Sequence, residues 1–406
     1  MTKFAIIFGK GNYVSRNLEL IRANGYIPLI IDYQSNPLAD QSFFCLVKPG
    51  QEINQIEQFL KKHKGKVSLI INRIDPFVEL HSLLVDHFQV PGPSYQATKI
   101  FREKSLLHQI MVDHELDFFR PRTLIINLNE IDDYAKMIQF PVVIKPFLGA
   151  HSKGVILVSN RDELNEAKQI LKVHFDSSKA VKFHADSSDK ILIEEYLDGK
   201  MIVPICYLDH KGKLHTLTYF DVIRTRDLGS DNMQLVYRTT PSKYPNYITQ
   251  KIEYILQKLA RIAGLKSTFL DPEFMIVGKK VYLIEINVRA GGFRYESMKY
   301  GFGLNIDQMS IFLALNQEFD DDFQFIKHCT ACEIWEEKSG KVVKFILPKS
   351  KYLVEQEIAI KVGDEYLAPP HGNKSFGKFY VVSEKEDSLR IAKNIRKQIK
   401  IEFEES

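Results

Sequence analysis

The residues best suited to carry out chemistry lie in segment 282–292, where polar and apolar side chains alternate. Glu285, Asn287 and Arg289 are two positions apart, so in a strand they share one face while the intervening apolar residues share the other. A carboxylate and an amide oxygen are hard ligands suited to Mg²⁺, and the planar guanidinium of arginine grips phosphate oxygens. The segment therefore predicts a metal and phosphate site. The alternative is a ladder of charged residues on a solvent-exposed strand face.

A second acidic residue, Glu273, lies upstream in the apolar segment 270–276. A short turn at 278–280 returns the chain to the strand of Glu285, which predicts a hairpin. In such a hairpin Glu273 lies opposite or diagonal to Glu285. Two adjacent carboxylates repel each other and raise one pKa unless a cation compensates their charge, which favours one or two Mg²⁺ ions between them.

A loop rich in small residues follows the predicted strand that ends at Lys145. It contains Gly149, His151, Ser152 and Gly154 and leads into another short predicted strand. Glycine lets backbone N–H groups approach phosphate oxygens closely, and the Ser152 hydroxyl adds a donor. Because Lys145 lies among apolar neighbours and needs an anionic partner, a phosphate site is favoured over the alternative, an ordinary hairpin turn.

A further candidate is the acidic end of the next predicted strand. Glu194, Glu195, Tyr196 and Leu197 close that strand and run into a turn at Asp198. An edge of exposed backbone there could hydrogen-bond an adenine ring, with a carboxylate accepting from its exocyclic amine. A strand end without any ligand is an equally good interpretation.

The elements that position these residues begin with an alternation of strands and helices. Predicted strands at 4–8, 27–31 and 67–71 alternate with predicted helices over residues 1–93, which is typical of a doubly wound parallel sheet. Gly9 and Gly11 after the first strand, with Asp32 ending the second, resemble a dinucleotide site that lacks its third glycine. A tight turn without a nucleotide is the preferred interpretation.

Breaks in this pattern predict the domain boundaries. Prolines and glycine at 91–93 end the first unit, and a helix carrying Lys104 leads into a second α/β unit. Within that unit the polar stretch 176–190 is predicted to be a loop. Residues 202–285 are typical of a larger, antiparallel-rich sheet, and a last α+β unit ends in a helix. The fold class is therefore α/β, with predicted domains at 1–93, 94–200, 201–329 and 330–406.

Length and composition exclude several classes of protein. The 406 residues, 45% hydrophobic and 26% charged, are typical of a cytoplasmic globular protein of about two to four domains. No apolar run approaches the roughly 20 residues of a membrane span. A net charge of +4 with interspersed signs argues against nucleic-acid and membrane partners. Four cysteines do not make a disulfide framework, and Cys329 and Cys332 are interpreted as two ordinary residues, with metal or redox use as the alternative.

In this order and spacing, the motifs resemble the ATP-grasp superfamily over nearly the whole chain. The resemblance implies an N-terminal pre-ATP-grasp domain, a two-lobed ATP-grasp domain and a C-terminal unit. It implies ATP and Mg²⁺ as cofactors, with two metal ions expected and Mn²⁺ as a substitute. The implied roles are phosphate binding by Lys104 and Lys145, closure of the loop 149–154 over the phosphates, an adenine-binding hinge at Glu194, Glu195, Tyr196 and Leu197, metal binding by Glu273, Glu285 and Asn287, and stabilisation of the transferred phosphoryl group by Arg289.

The residues after the metal segment narrow the branch of this superfamily. Biotin-carboxylase-like members continue with a Gln-Val-Glu-His run whose acid activates bicarbonate, whereas this chain has Ala290-Gly291-Gly292-Phe293-Arg294. That arrangement is similar to the amino-acid (dipeptide) ligases, which implies that Gly291 and Gly292 make room for a substrate carboxylate and that Arg294 binds it. Further candidates for anion contacts are Arg224, Arg226 and Arg238, although a surface or supporting role is preferred for each. Met201 departs from the pattern, because many members have a ribose-binding Glu there.

The expected function is an ATP-dependent carboxylate–amine ligase that forms an amide bond through an acylphosphate intermediate. Its expected partners are a small-molecule carboxylate and an amine, both amino acids by resemblance, with a homodimer as a possible assembly. Two alternatives remain open. One is another ATP-grasp ligase, of the carboxylase or nucleotide-biosynthesis type, and the other is a non-catalytic ATP-binding protein.

Overall fold

The computed structural model describes residues 1–147, 154–179, 189–230, 232–319, 323–369, 371–372 and 374–404, with side chains omitted at 176–179. In these ranges, no helix combines the length and apolar character needed to cross a membrane.

Residues 1–93 form a four-stranded parallel sheet with helices on both faces, which confirms the predicted doubly wound arrangement. The elements are β1 (Thr2–Phe8), α1 (Asn12–Ala23), β2 (Ile27–Asp32), β3 (Phe43–Leu46), α2 (Glu52–Lys62), β4 (Gly65–Ile71) and α3 (Val78–Phe88). The strand order is β3-β2-β1-β4. Alternation along β1 builds the two layers, because Ala5 and Ile7 pack with α1 while Phe4, Ile6 and Phe8 pack with α2 and α3.

The first lobe is a four-stranded antiparallel sheet reached through two helices. Its elements are α4 (Tyr95–Arg102), α5 (Lys104–Asp113), β5 (Thr123–Asn127), α6 (Ile131–Tyr134), β6 (Val142–Pro146), β7 (Ile156–Val158), α7 (Arg161–Lys179) and β8 (Lys190–Glu195). Since α7 extends to Lys179 and β8 begins at Lys190, the predicted loop 176–190 is wrong at both ends. Residues 180–188 lie outside the described ranges.

The second lobe and the C-terminal unit share one eight-stranded sheet of order β13-β12-β9-β10-β11-β14-β18-β16. The elements are β9 (Lys200–Leu208), β10 (Leu214–Arg224), β11 (Leu235–Thr240), α8 (Asn246–Ala263), β12 (Thr268–Val277), β13 (Lys280–Asn287), α9 (Arg294–Phe302), α10 (Ile306–Leu313), β14 (His328–Ile334), β15 (Gly340–Ile346), β16 (Leu353–Ile358), β17 (Glu365–Tyr366), β18 (Gly377–Ser383), α11 (Ser388–Gln398) and β19 (Lys400–Phe403). Position 330, the predicted boundary, falls inside β14, which pairs with β11. The C-terminal unit therefore continues the sheet of the second lobe.

The N-terminal sheet packs directly on the second lobe. Ile311 and Ala314, at the end of α10, join the core that contains Leu18 of α1. Just after β4, Arg73 donates from Nη2 to the carbonyl oxygen of Gly292 at 2.6 Å. The contact brings the carboxyl end of β4 against the segment that follows β13, so the first domain forms one wall beside the predicted metal segment.

Two other sequence features are explained by local packing. Cys329 and Cys332 are buried on β14 and, three residues apart, face opposite sides of the sheet. Burial raises the pKa of Cys329 to about 12 and also raises the pKa of Cys332, the opposite of what a reactive thiol needs. The Asp32 carboxylate accepts from the backbone N–H of Tyr33 at 2.8 Å and from Nδ2 of Asn36 at 3.1 Å, so it closes the turn after β2. These observations favour two ordinary buried cysteines on β14 and a tight turn after β2, the interpretations preferred from the sequence.

Candidate functional site

The acidic pair lies in the hairpin of β12 and β13, where Glu273 is directly opposite Glu285. Asn287 shares the face of Glu285 and donates from Nδ2 to its Oε1 at 3.2 Å. Burial raises the pKa of Glu273, and Glu285 and Asp271 raise it further. The buried negative charge fits a divalent cation, held by two carboxylates and an amide oxygen. In the described part of the chain no cluster of three or more His, Cys, Asp or Glu side chains is spaced for a metal ion, so this site depends on the amide.

The acidic pair also borders a cavity between the two lobes. The residues around this nucleotide-side cavity include Lys104, Lys145, Glu194, Glu195, Tyr196, Leu197, Met201, Leu235, Glu273 and Glu285. The tertiary structure thus brings both predicted phosphate-binding lysines, the predicted hinge and Met201 to one place. Burial lowers the pKa of Lys104, whose Nζ donates to the Phe147 carbonyl oxygen at 3.3 Å.

The predicted phosphate loop is only partly described. Gly149, His151 and Ser152 lie outside the described residues. Gly154 has a φ of +74°, and a Cβ at this position would lie 2.9 Å from Cγ of Pro146. Its glycine is therefore required by the turn and by close packing on β6.

The two hinge carboxylates have different partners. Glu194 is buried, and its Oε2 lies 2.7 Å from Nζ of Lys145. The Glu195 carboxylate is paired with Nε of Arg122 at 2.8 Å. The predicted exposed edge is wrong for these two residues, because β8 is an interior strand paired with β5 and β6. The Tyr196 N–H also donates to the carbonyl oxygen of Pro141 at 3.2 Å.

Arg120 is a buried residue that the sequence analysis missed. Its Nη2 lies 3.9 Å from Oε1 of Glu194, and in the described part of the chain its Nε and Nη1 have no hydrogen-bond partner. Glu194 therefore lies between two cations, Lys145 and Arg120. No local signal marks Arg120, because its partner is far away in the sequence.

A second cavity, of about 520 Å³, lies on the other side of the acidic pair. The residues that line this substrate-side cavity include Gln234, Leu235, Arg238, Asp271, Glu273, Glu285, Asn287, Arg289, Gly292, Phe293, Arg294, Glu333, Trp335, Glu357 and Lys378. The two cavities share Leu235, Glu273 and Glu285. The candidate metal ligands thus stand between the predicted nucleotide site and the predicted substrate residues.

The guanidinium group of Arg294 is only partly hydrogen-bonded. Its Nη2 donates to Oδ1 of Asp271 at 2.8 Å, and its guanidinium lies over the ring of Phe220 at 4.7 Å. Its Nε and Nη1 are buried and have no hydrogen-bond partner among the described residues. Buried guanidinium donors without partners are costly, so an anionic ligand at this end of the cavity would complete the group.

The two glycines have different surroundings. A Cβ on Gly291 would lie 2.5 Å from Oδ1 of Asp271, so this glycine makes room for a carboxylate of the chain itself, and Gly291 is not among the residues lining the cavity. A Cβ on Gly292 would meet nothing within 4 Å, and Gly292 lines the cavity. The prediction that both glycines make room for a substrate therefore needs correction at Gly291.

The three additional arginines are separated by the fold. Arg224 lines the nucleotide-side cavity and pairs with Asp227 at 2.7 Å. Arg238 lines the substrate-side cavity, pairs with Glu333 at 3.3 Å and lies over the Phe293 ring at 3.8 Å. Arg226 lines neither of these cavities.

Comparison with known proteins gives a family match for part of the chain. Residues 138–296 match the model of the ATP-grasp domain. The chain is 23% identical to a formate-dependent phosphoribosylglycinamide formyltransferase of Prochlorococcus marinus, over 59% of this chain and 61% of that protein. It is 25% identical to a phosphoribosylamine–glycine ligase of Fusobacterium nucleatum, over 77% of this chain and 71% of the ligase.

Solved structures resemble the whole chain. An L-amino acid ligase from Bacillus licheniformis has a TM-score of 0.79 at 15% identity and covers 100% of this chain and 99% of its own. A biotin carboxylase from Campylobacter jejuni has a TM-score of 0.66 at 17% identity, over 98% of this chain and 92% of its own. At these identities the likeness establishes the fold.

Proposed function

We propose that this chain, whose residues 138–296 match the ATP-grasp domain model, is an ATP-dependent carboxylate–amine ligase that forms an amide bond through an acylphosphate. The observation that carries the proposal is the pair of cavities sharing Glu273 and Glu285. A phosphoryl group at this boundary is within reach of a nucleotide on one side and of a substrate on the other. Transfer across it needs positioning and charge compensation more than covalent help from the protein.

The proposed nucleotide site uses the first cavity. Lys104 and Lys145 would contact the phosphate groups, and the segment after Tyr196 would contact the adenine. Lys145 would exchange its contact with Glu194 for one with a phosphate, while Arg120 continues to compensate the Glu194 carboxylate. Mg²⁺ held by Glu273, Glu285 and Asn287 would neutralise the negative charge of the phosphate groups.

The proposed chemistry uses the second cavity. An oxygen of the substrate carboxylate attacks the γ-phosphorus, the bond to the leaving ADP oxygen breaks, and an acylphosphate results. The amine substrate then attacks the acyl carbon, and phosphate leaves as the amide bond forms. Arg289 stabilises the negative charge of the phosphoryl group during transfer. Arg294, with two nitrogens that lack partners within the described ranges, binds a substrate carboxylate.

Amino acids are the proposed substrates. The L-amino acid ligase has the most complete structural match of the neighbours described above. The Fusobacterium relative is named for joining phosphoribosylamine to glycine, which is also ligation of an amine to an amino acid. That name favours a second candidate, a ligase of nucleotide biosynthesis that takes a phosphoribosyl amine.

The test is phosphate release from MgATP across a matrix of acids and amines, with mass spectrometry of the products. We expect release only when an acid and an amine are both present, and a product mass equal to their sum less one water. The matrix includes bicarbonate and formate as acids and a phosphoribosyl amine as acceptor, so each alternative has its own positive result. ATP binding without phosphate release over the whole matrix would support a non-catalytic protein.

The matched control is Glu285→Ala. This variant removes a carboxylate at the cavity boundary, so we expect normal circular dichroism and no detectable phosphate release. Turnover close to that of the unmodified protein would contradict the proposed site.

A further inference from the structure

Five charged side chains of alternating sign, three buried and two partly buried, connect the first domain to the substrate-side cavity. In order they are Arg102, Asp75, Arg289, Asp271 and Arg294. The four nitrogen–oxygen distances along this charge chain are 3.2, 3.0, 3.3 and 2.8 Å. Asp75 follows β4, Arg289 follows β13 and Arg294 begins α9, so the charge chain joins elements that are distant in sequence.

Asp271 is the centre of this charge chain. It is 8% exposed, and its two carboxylate oxygens bind different arginines, Oδ1 to Arg294 and Oδ2 to Arg289. Gly291 lies so close to both oxygens that any side chain there would displace the carboxylate. Two arginines and the close approach of Gly291 thus fix the position of the Asp271 carboxylate.

Arg289 is held from two directions. Its Nε donates to Oδ1 of Asp75, and its Nη1 donates to Asp271 and to the carbonyl oxygen of Ala290. Within the described part of the structure Nη2 has no hydrogen bond, and Arg289 lines the substrate-side cavity. Fixing two nitrogens of a planar guanidinium also fixes the direction of the third.

We propose that Asp271 and Asp75 are positioning residues: Asp271 orients both Arg289 and Arg294, and Asp75 orients Arg289 alone. This inference rests on the proposed function, in which Arg289 faces the phosphoryl group and Arg294 a substrate carboxylate. The first domain then completes the active site by supplying the second anchor of Arg289. Arginines held by fixed carboxylates before substrate arrives need no reorganisation during transfer.

A test follows because Asp271 contacts both cavity arginines, Arg289 and Arg294, whereas Asp75 contacts only the first of them. Asp75→Asn keeps the side-chain shape and, of the two cavity arginines, affects only Arg289, so kcat should fall while KM for the acid stays unchanged. Asp271→Asn releases both arginines, so kcat should fall and KM for the acid should rise. Each affected parameter should change by about 10- to 100-fold, the range for one hydrogen bond to a charged group. Affinity for MgATP should stay the same in both variants.

Asp307→Asn is the matched control. Asp307 is also buried between two arginines, Arg16 at 3.3 Å and Arg73 at 3.4 Å, but it contacts neither Arg289 nor Arg294. We expect a loss of stability without a split between kcat and KM. If Asp75→Asn or Asp271→Asn reproduces that behaviour, the two carboxylates are only structural and the inference is wrong.

A double-mutant cycle keeps the inference testable if Asp271→Asn does not fold. Because Asp75 acts through Arg289, Asp75→Asn should have little further effect on kcat in an Arg289→Lys protein. Additive losses would contradict the inference. The cycle is run with an acid and an amine that together support phosphate release.

Failure of this inference is distinguishable from failure of the proposed function. Loss of turnover in Glu285→Ala together with unchanged kinetics in Asp75→Asn and Asp271→Asn would overturn only the positioning role. Normal turnover in Glu285→Ala would overturn the proposed function itself.

Discussion

Replacement of Lys145 by methionine should destabilise the first lobe and abolish ATP binding. Lys145 and Glu194 are 2.7 Å apart, and their side chains are 9% and 5% exposed. Removing one member of so buried a pair leaves an uncompensated charge, at a cost of about 3–5 kcal/mol. Arg120, 3.9 Å from Glu194, offsets part of this loss, so we expect a value near the lower limit, about 3 kcal/mol.

The partner variants separate charge from packing. Glu194→Gln keeps an amide oxygen that can accept from Lys145, so it should cost less, about 1–2 kcal/mol. The double variant Lys145→Met/Glu194→Gln removes both charges and should recover at least about 1 kcal/mol relative to the sum of the single changes. Urea unfolding monitored by circular dichroism measures stability, and calorimetric titration with MgATP measures binding. Additive destabilisation in the double variant, or retained nucleotide affinity in Lys145→Met, would refute this reasoning.

Two further predictions address the metal segment. Gly291→Ala should destabilise the protein by about 1–3 kcal/mol, because its Cβ would lie 2.5 Å from Oδ1 of Asp271. Gly292→Ala should leave the free energy of unfolding unchanged, because there is open space around that position. Equal midpoints of urea unfolding for the two variants would contradict this packing. Burial and neighbouring carboxylates raise the pKa of Glu273 above its ordinary value of 4.5. Without metal, the protonated side chain therefore contributes to the free energy of unfolding near pH 4.5, and this contribution is lost as the pH rises. Mg²⁺, in contrast, binds the ionised form. Thermal unfolding should therefore show a larger stabilisation by Mg²⁺ at pH 8 than at pH 5, and the reverse order would contradict the assignment of the metal site.

Features set by neighbouring residues were predictable from sequence. Alternation put Glu285 and Asn287 on one face, and the short turn at Gly278 and Lys279 predicted the hairpin. The direct pairing of Glu273 with Glu285 also depends on a register shift between Glu273 and Phe274, which the turn does not set. The N-terminal alternation of strands and helices likewise predicted a parallel sheet, because parallel strands require crossover helices.

Features that depend on distant partners were missed or misjudged. The exposed edge predicted at Glu194 and Glu195 is an interior strand, because β5 and β6 arrive from elsewhere to pair with β8. Gly291 was assigned to the substrate, but its neighbour is Asp271, across the hairpin. A single strand carries no information about which strands will flank it.

By itself, the sequence determined the chemical types at the site and their local order: a carboxylate pair, an amide, two lysines and a run of glycine and arginine after the metal strand. The tertiary structure alone decided that these groups stand between two cavities and that Asp75, 214 residues from Arg289, is its anchor. The physical reason is the distance along the sequence over which each interaction acts. Alternation and turn geometry act over a few residues, whereas ion pairs and cavity walls form only when packing removes water between distant segments.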